Sequence, residues 1–157
     1  MTKRLLSTVA LLAYCFVLIK VMVFKDIPTF KVGDLMLNFG ETEPGGTPNL
    51  IPFATIAPYL FGRQGWIIAG INLVGNVGLL VPVGLLLPFV ARRVTWRDAL
   101  LAGIACGLAI ELMQVVFDVG RFDIDDVILN ALGVMVGYWA LRALESVVLG
   151  WRRRARR

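Results

Sequence analysis

The chain has 157 residues, 58% of them hydrophobic, with mean hydropathy +0.77, a formal net charge of +5 and a pI near 9.7. That apolar content excludes an ordinary soluble domain and leaves one small membrane domain, residues 1–157, as the unit to explain. The basic balance argues for membrane topology and no nucleic-acid partner, since the cations stand in short clusters beside apolar runs, and the absence of histidine leaves carboxylates and amides to carry any chemistry.

Residues 5–24 are apolar but for Lys20 and follow Lys3 and Arg4, as in a signal peptide. Val21 to Phe24 are too bulky for a cleavage site, so the segment is expected to remain as a first transmembrane helix, with Lys20 reaching the headgroups. Residues 25–65 are punctuated by Pro28, Gly33, Gly40 and the turn-rich run Glu43 to Pro48, which predicts one long extracytoplasmic loop. Within it Ala54 to Phe61 is apolar but only about two turns long, so a re-entrant or surface-lying piece is expected.

Residues 66–91 form the second expected span, carrying Asn72 and Asn76, with Pro82 and Pro88 expected to kink it. A basic turn of Arg92, Arg93, Trp96 and Arg97 follows, then spans over 99–117 and 126–149, then Trp151 and the arginine-rich tail. Cys15 and Cys106 fall inside apolar segments, where they behave as small hydrophobes. The expected fold is thus an all-α integral membrane bundle of four transmembrane helices. Basic ends are retained in the cytoplasm, which puts both termini there and places the protein, multi-pass, in the bacterial cytoplasmic membrane.

Depth brings the polar residues together. Glu111 lies about twelve residues into the outward-running third span, hence roughly 18 Å into an apolar layer about 30 Å thick. Asn72, Asn76 and Asn130 fall in the same outer half by the same reckoning. Gly103, Gly107 and Glu111 share a four-residue spacing, as do Asp126 and Asn130 and then Gly133 and Gly137. Small residues mark close helix approach, so the acids and amides are expected on the bundle's interior face.

Capping would by itself place Asp123, Asp125 and Asp126 at a helix start, and paired asparagines are common membrane glue. Several acids around Arg121 exceed that need, however, and an ionisable group at membrane depth is costly, about 2.5 to 3.5 kcal/mol. The candidate ligand-binding residues are Asn49, Asn72, Asn76, Glu111, Gln114, Arg121, Asp123, Asp126 and Asn130. Glu111 is also a candidate general base, and Asp123, Asp125 and Asp126 are candidate ligands for a divalent cation through hard oxygen donors.

The strings Asn49-Leu50-Ile51-Pro52-Phe53, Asn76 to Gly84 with Pro82 and Gly84, Ile110-Glu111 with Gln114, and Arg121-Phe122-Asp123-Ile124-Asp125-Asp126 with Asn130, Gly133 and Gly137-Tyr138 resemble the VanZ-like family of bacterial membrane proteins. They cover residues 49–138. The resemblance implies a four-helix membrane protein whose namesake raises resistance to the glycopeptide antibiotic teicoplanin. It assigns no catalytic residue.

Three functions follow from these residues. The first is a cell-envelope protein that binds or modifies an outer-leaflet ligand such as a lipid-linked cell-wall precursor or a glycopeptide. Its amides would hydrogen-bond the ligand while Arg121 engages a phosphate or carboxylate. The second is a metal-assisted enzyme acting on a phosphate- or sugar-bearing lipid, which lacks an evident nucleophile. The third is a structural or assembly role in contact with membrane lipid.

Overall fold

Among the described residues four helices are long and apolar enough to cross a membrane, and they fall on the four expected spans. A computed structural model describes residues 2–23, 30–32, 35–37, 46–61, 66–91 and 93–154. In chain order the elements are α1 (Thr2–Met22), the short strands β1 (Phe30–Val32) and β2 (Leu35–Leu37), the two-turn helix α2 (Ile56–Phe61), α3 (Trp66–Val90), α4 (Trp96–Val116) and α5 (Ile124–Arg154). The long connection after α1 is therefore more than a loop. It holds an antiparallel strand pair, with Phe30 opposite Leu37, and the short helix expected within 54–61.

Local chemistry sets the helix limits. α4 starts three residues before the expected 99 because Thr95 and Asp98 form a capping box, in which the Thr95 N–H donates to Asp98 Oδ2 at 2.8 Å. α3 continues through Pro82 and Pro88 as one helix. α5 runs past the expected 149 to Arg154.

Helix α5 is the axis of the bundle, packed against α3 on one side and α4 on the other, with α1 laid on α3. Glycine makes both approaches feasible. A Cβ at Gly84 of α3 would lie 2.0 Å from the Val134 carbonyl oxygen, and one at Gly137 of α5 would lie 2.0 Å from that of Val81. Across the other seam a Cβ at Gly103 would lie 2.8 Å from the Ala131 Cα. Those at Gly103 and Gly137 are contacts that the four-residue spacing predicts, and all three let dispersion act between backbones where lipid removes any hydrophobic drive.

The interior holds Leu80, Val83, Val134 and Tyr138, while Leu12 and Phe16 of α1, Leu112 and Val116 of α4 and Leu144 of α5 face outward, as apolar residues do in lipid. Hydrogen bonds add to this packing. The Tyr14 hydroxyl donates to the Leu79 carbonyl at 2.6 Å, and Arg142 Nη2 donates to the Val94 carbonyl at 3.0 Å, tying the α3–α4 turn to α5. The guanidinium of Arg142 also lies 5.2 Å from the Tyr138 ring centroid and pairs with Glu145 at 2.9 Å.

Candidate functional site

The first turn of α5 gathers the polar residues. Asp123 precedes the helix, and its Oδ1 accepts the Asp125 N–H at 2.9 Å, satisfying one of the free amides of the helix start. Its own N–H donates to Glu111 Oε2 at 2.7 Å. Glu111 is 1% exposed, so the carboxyl that sequence places at membrane depth faces the interior and holds α4 to the start of α5.

The segment before α2 is pinned to the same turn from both its ends. Asn49 forms a parallel bridge with Asp123, its N–H donating to the Phe122 carbonyl at 2.8 Å and its carbonyl accepting from the Ile124 N–H at 3.0 Å. The side chain doubles the link, with Nδ2 donating to Asp123 Oδ1 at 2.9 Å and Oδ1 accepting the Ile51 N–H at 3.1 Å. At the other end, Asp125 accepts from the N–H groups of Phe53, Thr55 and Ile56 and from the Thr55 hydroxyl at 2.6 Å. A fully buried carboxylate at the start of α5 thereby caps α2, some 70 residues earlier.

Asp126, the third acid of the turn, takes another partner: its Oδ1 accepts from Asn76 Nδ2 at 3.2 Å, joining α3 to α5. Gln114 points elsewhere, its Nε2 donating to the Met22 carbonyl at 2.9 Å at the end of α1. The side chain of Asn72 lies outside the described residues.

Among the described residues, two side chains carry buried polar atoms without protein partners. Asn130 is fully buried, and neither its Nδ2 nor its Oδ1 meets a hydrogen-bonding group. It lies one turn below Asp126 on α5, against α4, where a Cβ at Gly107 would sit 3.2 Å from the Asn130 Cβ. Arg121, partly buried in the turn before α5, has a buried Nε that is likewise unpartnered. Leaving such a group unsatisfied costs about 1 to 3 kcal/mol, more where it is charged.

The structure thus brings Asn49, Glu111, Asp123 and Asp125 into one hydrogen-bonded network, sets the Asn76–Asp126 pair on the same turn of α5, and separates Gln114. It does not assemble the expected cation site. Among the described residues no three acids converge on a common point suited to a metal ion, because Asp125 is turned to α2, Asp126 to Asn76, and Asp123 to Asn49 and its own helix. Sequence reasoning did not single out Thr55, whose hydroxyl completes the Asp125 cap; nothing at position 55 itself marks it, since its partner is remote in the chain.

Comparison with known proteins gives a family-level match. The family model described as VanZ/LLP1 matches residues 11–145, from the middle of α1 through the greater part of α5. No curated protein and no solved structure matches the chain.

Proposed function

As the chain belongs to the VanZ/LLP1 family, we propose that this multi-pass membrane protein binds the anionic group of an envelope ligand at the end of the bundle where α5 begins. In this reading that end faces the outer leaflet of the bacterial cytoplasmic membrane, and both termini are cytoplasmic. The observation that carries it is the pair of unsatisfied buried groups, Arg121 Nε and the Asn130 amide, beside a turn whose acids are engaged with protein donors. A ligand phosphate or carboxylate supplies the acceptor that Arg121 Nε lacks, and a guanidinium fork suits both.

The residues divide by task. Asn49, Glu111, Asp123 and Asp125 hold the turn and the segment before α2 in place, and Asn76 with Asp126 fixes α3 beside it. Arg121 and Asn130 make the contact. A lipid-linked cell-wall precursor or a glycopeptide presents the required anionic chemistry, and a part in glycopeptide resistance follows if either is the ligand.

The test is expression of Arg121→Gln and Asn130→Leu variants in a glycopeptide-sensitive host, at equal abundance of folded protein. Loss of protection in both, with folding intact, supports a binding site. Full protection by both overturns it.

A further inference from the structure

We propose that residues 50–53 form a fixed seat for the hydrocarbon chain of an anionic phospholipid whose phosphate is held by Arg121, which rests on the anion site of the reading above and assigns that site a phospholipid in place of the precursor or glycopeptide. Three apolar side chains of this segment stand out from the protein: Leu50 is 68% exposed, Ile51 70% and Phe53 58%. An exposed apolar loop is ordinarily left mobile, but this one is clamped at both ends by buried polar groups, Asn49 on Asp123 and Asp125 on the Phe53 N–H.

The clamp also holds an unfavourable backbone. Phe53 has φ 68°, in the left-handed region that bulky residues avoid. A conformation costing about 1 to 3 kcal/mol persists only where its surroundings impose it, and here a carboxylate with four donors does so. The result is an apolar ridge presented in one orientation at the end of the spans, where lipid chains meet headgroups.

Position supplies the second half of the ligand. The bridge of Asn49 with Asp123, in which the Asn49 N–H donates to the Phe122 carbonyl, sets the start of this segment beside the residue that follows Arg121. Arg121, whose buried Nε is unpartnered, is the neighbour in sequence of Phe122, to which the segment is hydrogen-bonded one residue before Leu50. The nearby carboxylates of Asp123 and Asp125 are turned to amide and hydroxyl donors, which reduces their repulsion of an anion. Charge at the base and hydrocarbon contact above it are the two requirements of an anionic amphiphile.

The experiment uses the purified full-length chain in detergent, with retained lipid counted by native mass spectrometry. The probes are dioleoyl phosphatidylglycerol, dioleoyl phosphatidylcholine, glycerol phosphate and a polyprenyl phosphate. Retention of phosphatidylglycerol at least about tenfold above phosphatidylcholine is expected, with roughly tenfold weakening by Arg121→Gln and partial recovery in Arg121→Lys. The double substitution Leu50→Ser with Ile51→Ser alters exposed side chains only and is expected to weaken retention without lowering the melting temperature.

Equal retention of the two phospholipids, or no effect of the double substitution, overturns the proposal. Glycerol phosphate competing as well as the lipid leaves the anion site standing and removes the chain seat. Preference for the polyprenyl phosphate over phosphatidylglycerol also overturns the phospholipid assignment. Indifference of every probe to Arg121→Gln overturns the anion site itself.

Discussion

Asp125 and Thr55 stand 70 residues apart in the chain and meet at 2.6 Å, carboxylate to hydroxyl, with the N–H groups of Thr55 and Ile56 donating to the same oxygen. This contact decides where the segment before α2 lies. Asp125→Ala leaves those buried donors unanswered and is expected to destabilise the protein by about 2 to 4 kcal/mol, with Asp125→Asn intermediate because an amide oxygen still accepts. Thermal melting in detergent measures both, and a melting temperature unchanged in Asp125→Ala would remove the cap from the account.

The glycine seams give a sharper contrast. Gly137→Ala puts a methyl group against the Val81 carbonyl and a backbone N–H of α3, so a loss of about 1 to 3 kcal/mol is expected from overpacking. Gly78→Ala meets nothing within 4 Å and is expected to be neutral or to stabilise by up to about 1 kcal/mol through helix propensity. Melting curves of the two variants side by side check the packing of α5 on α3, which fails if both behave alike.

Glu111 separates a positioning role from a chemical one. Its Oε2 accepts the Asp123 N–H, so Glu111→Gln keeps an acceptor and is expected to fold at near wild-type abundance, whereas Glu111→Ala strands a buried donor and is expected to cost about 1 to 3 kcal/mol. Protection assays at matched abundance complete the comparison. A Glu111→Gln protein that folds normally yet loses all function would show that the proton of this carboxyl is used.

Much of this was legible in the sequence. Apolar run length set the four spans, because each helix must satisfy its own backbone over the same thickness of hydrocarbon. The four-residue spacing of Gly103 and Gly107, and of Gly133 and Gly137, located the seams. Which acid serves which partner was not legible. Asp123, Asp125 and Asp126 are close in sequence and suggested one cation site, yet Asp123 precedes the helix and Asp125 and Asp126 leave it about 100° apart, so the three reach different segments. The Asp125 cap is built from residues 53–56, and no local pattern announces a partner so distant. Tyr138 and Arg142, which hold the Val94 carbonyl, were likewise hidden by their long-range pairing.

Orientation is open to labelling. In a chain whose Cys15 and Cys106 are replaced by alanine, Thr47→Cys is expected to react with an impermeant maleimide in intact cells. Trp151→Cys, on the exposed end of α5, is expected to react only after permeabilisation. Labelling of position 151 in intact cells would reverse the membrane sidedness and move the site to the cytoplasmic leaflet.

The central claim is that Arg121 holds an anion, and an experimental structure of the chain in bilayer discs formed with native membrane lipid tests it most directly. Non-protein density within about 3 Å of Arg121 Nε is expected, continuous with a chain along Leu50 and Phe53. A well-ordered Arg121 bonded only to protein carbonyls, with bare density along residues 50–53, would contradict it.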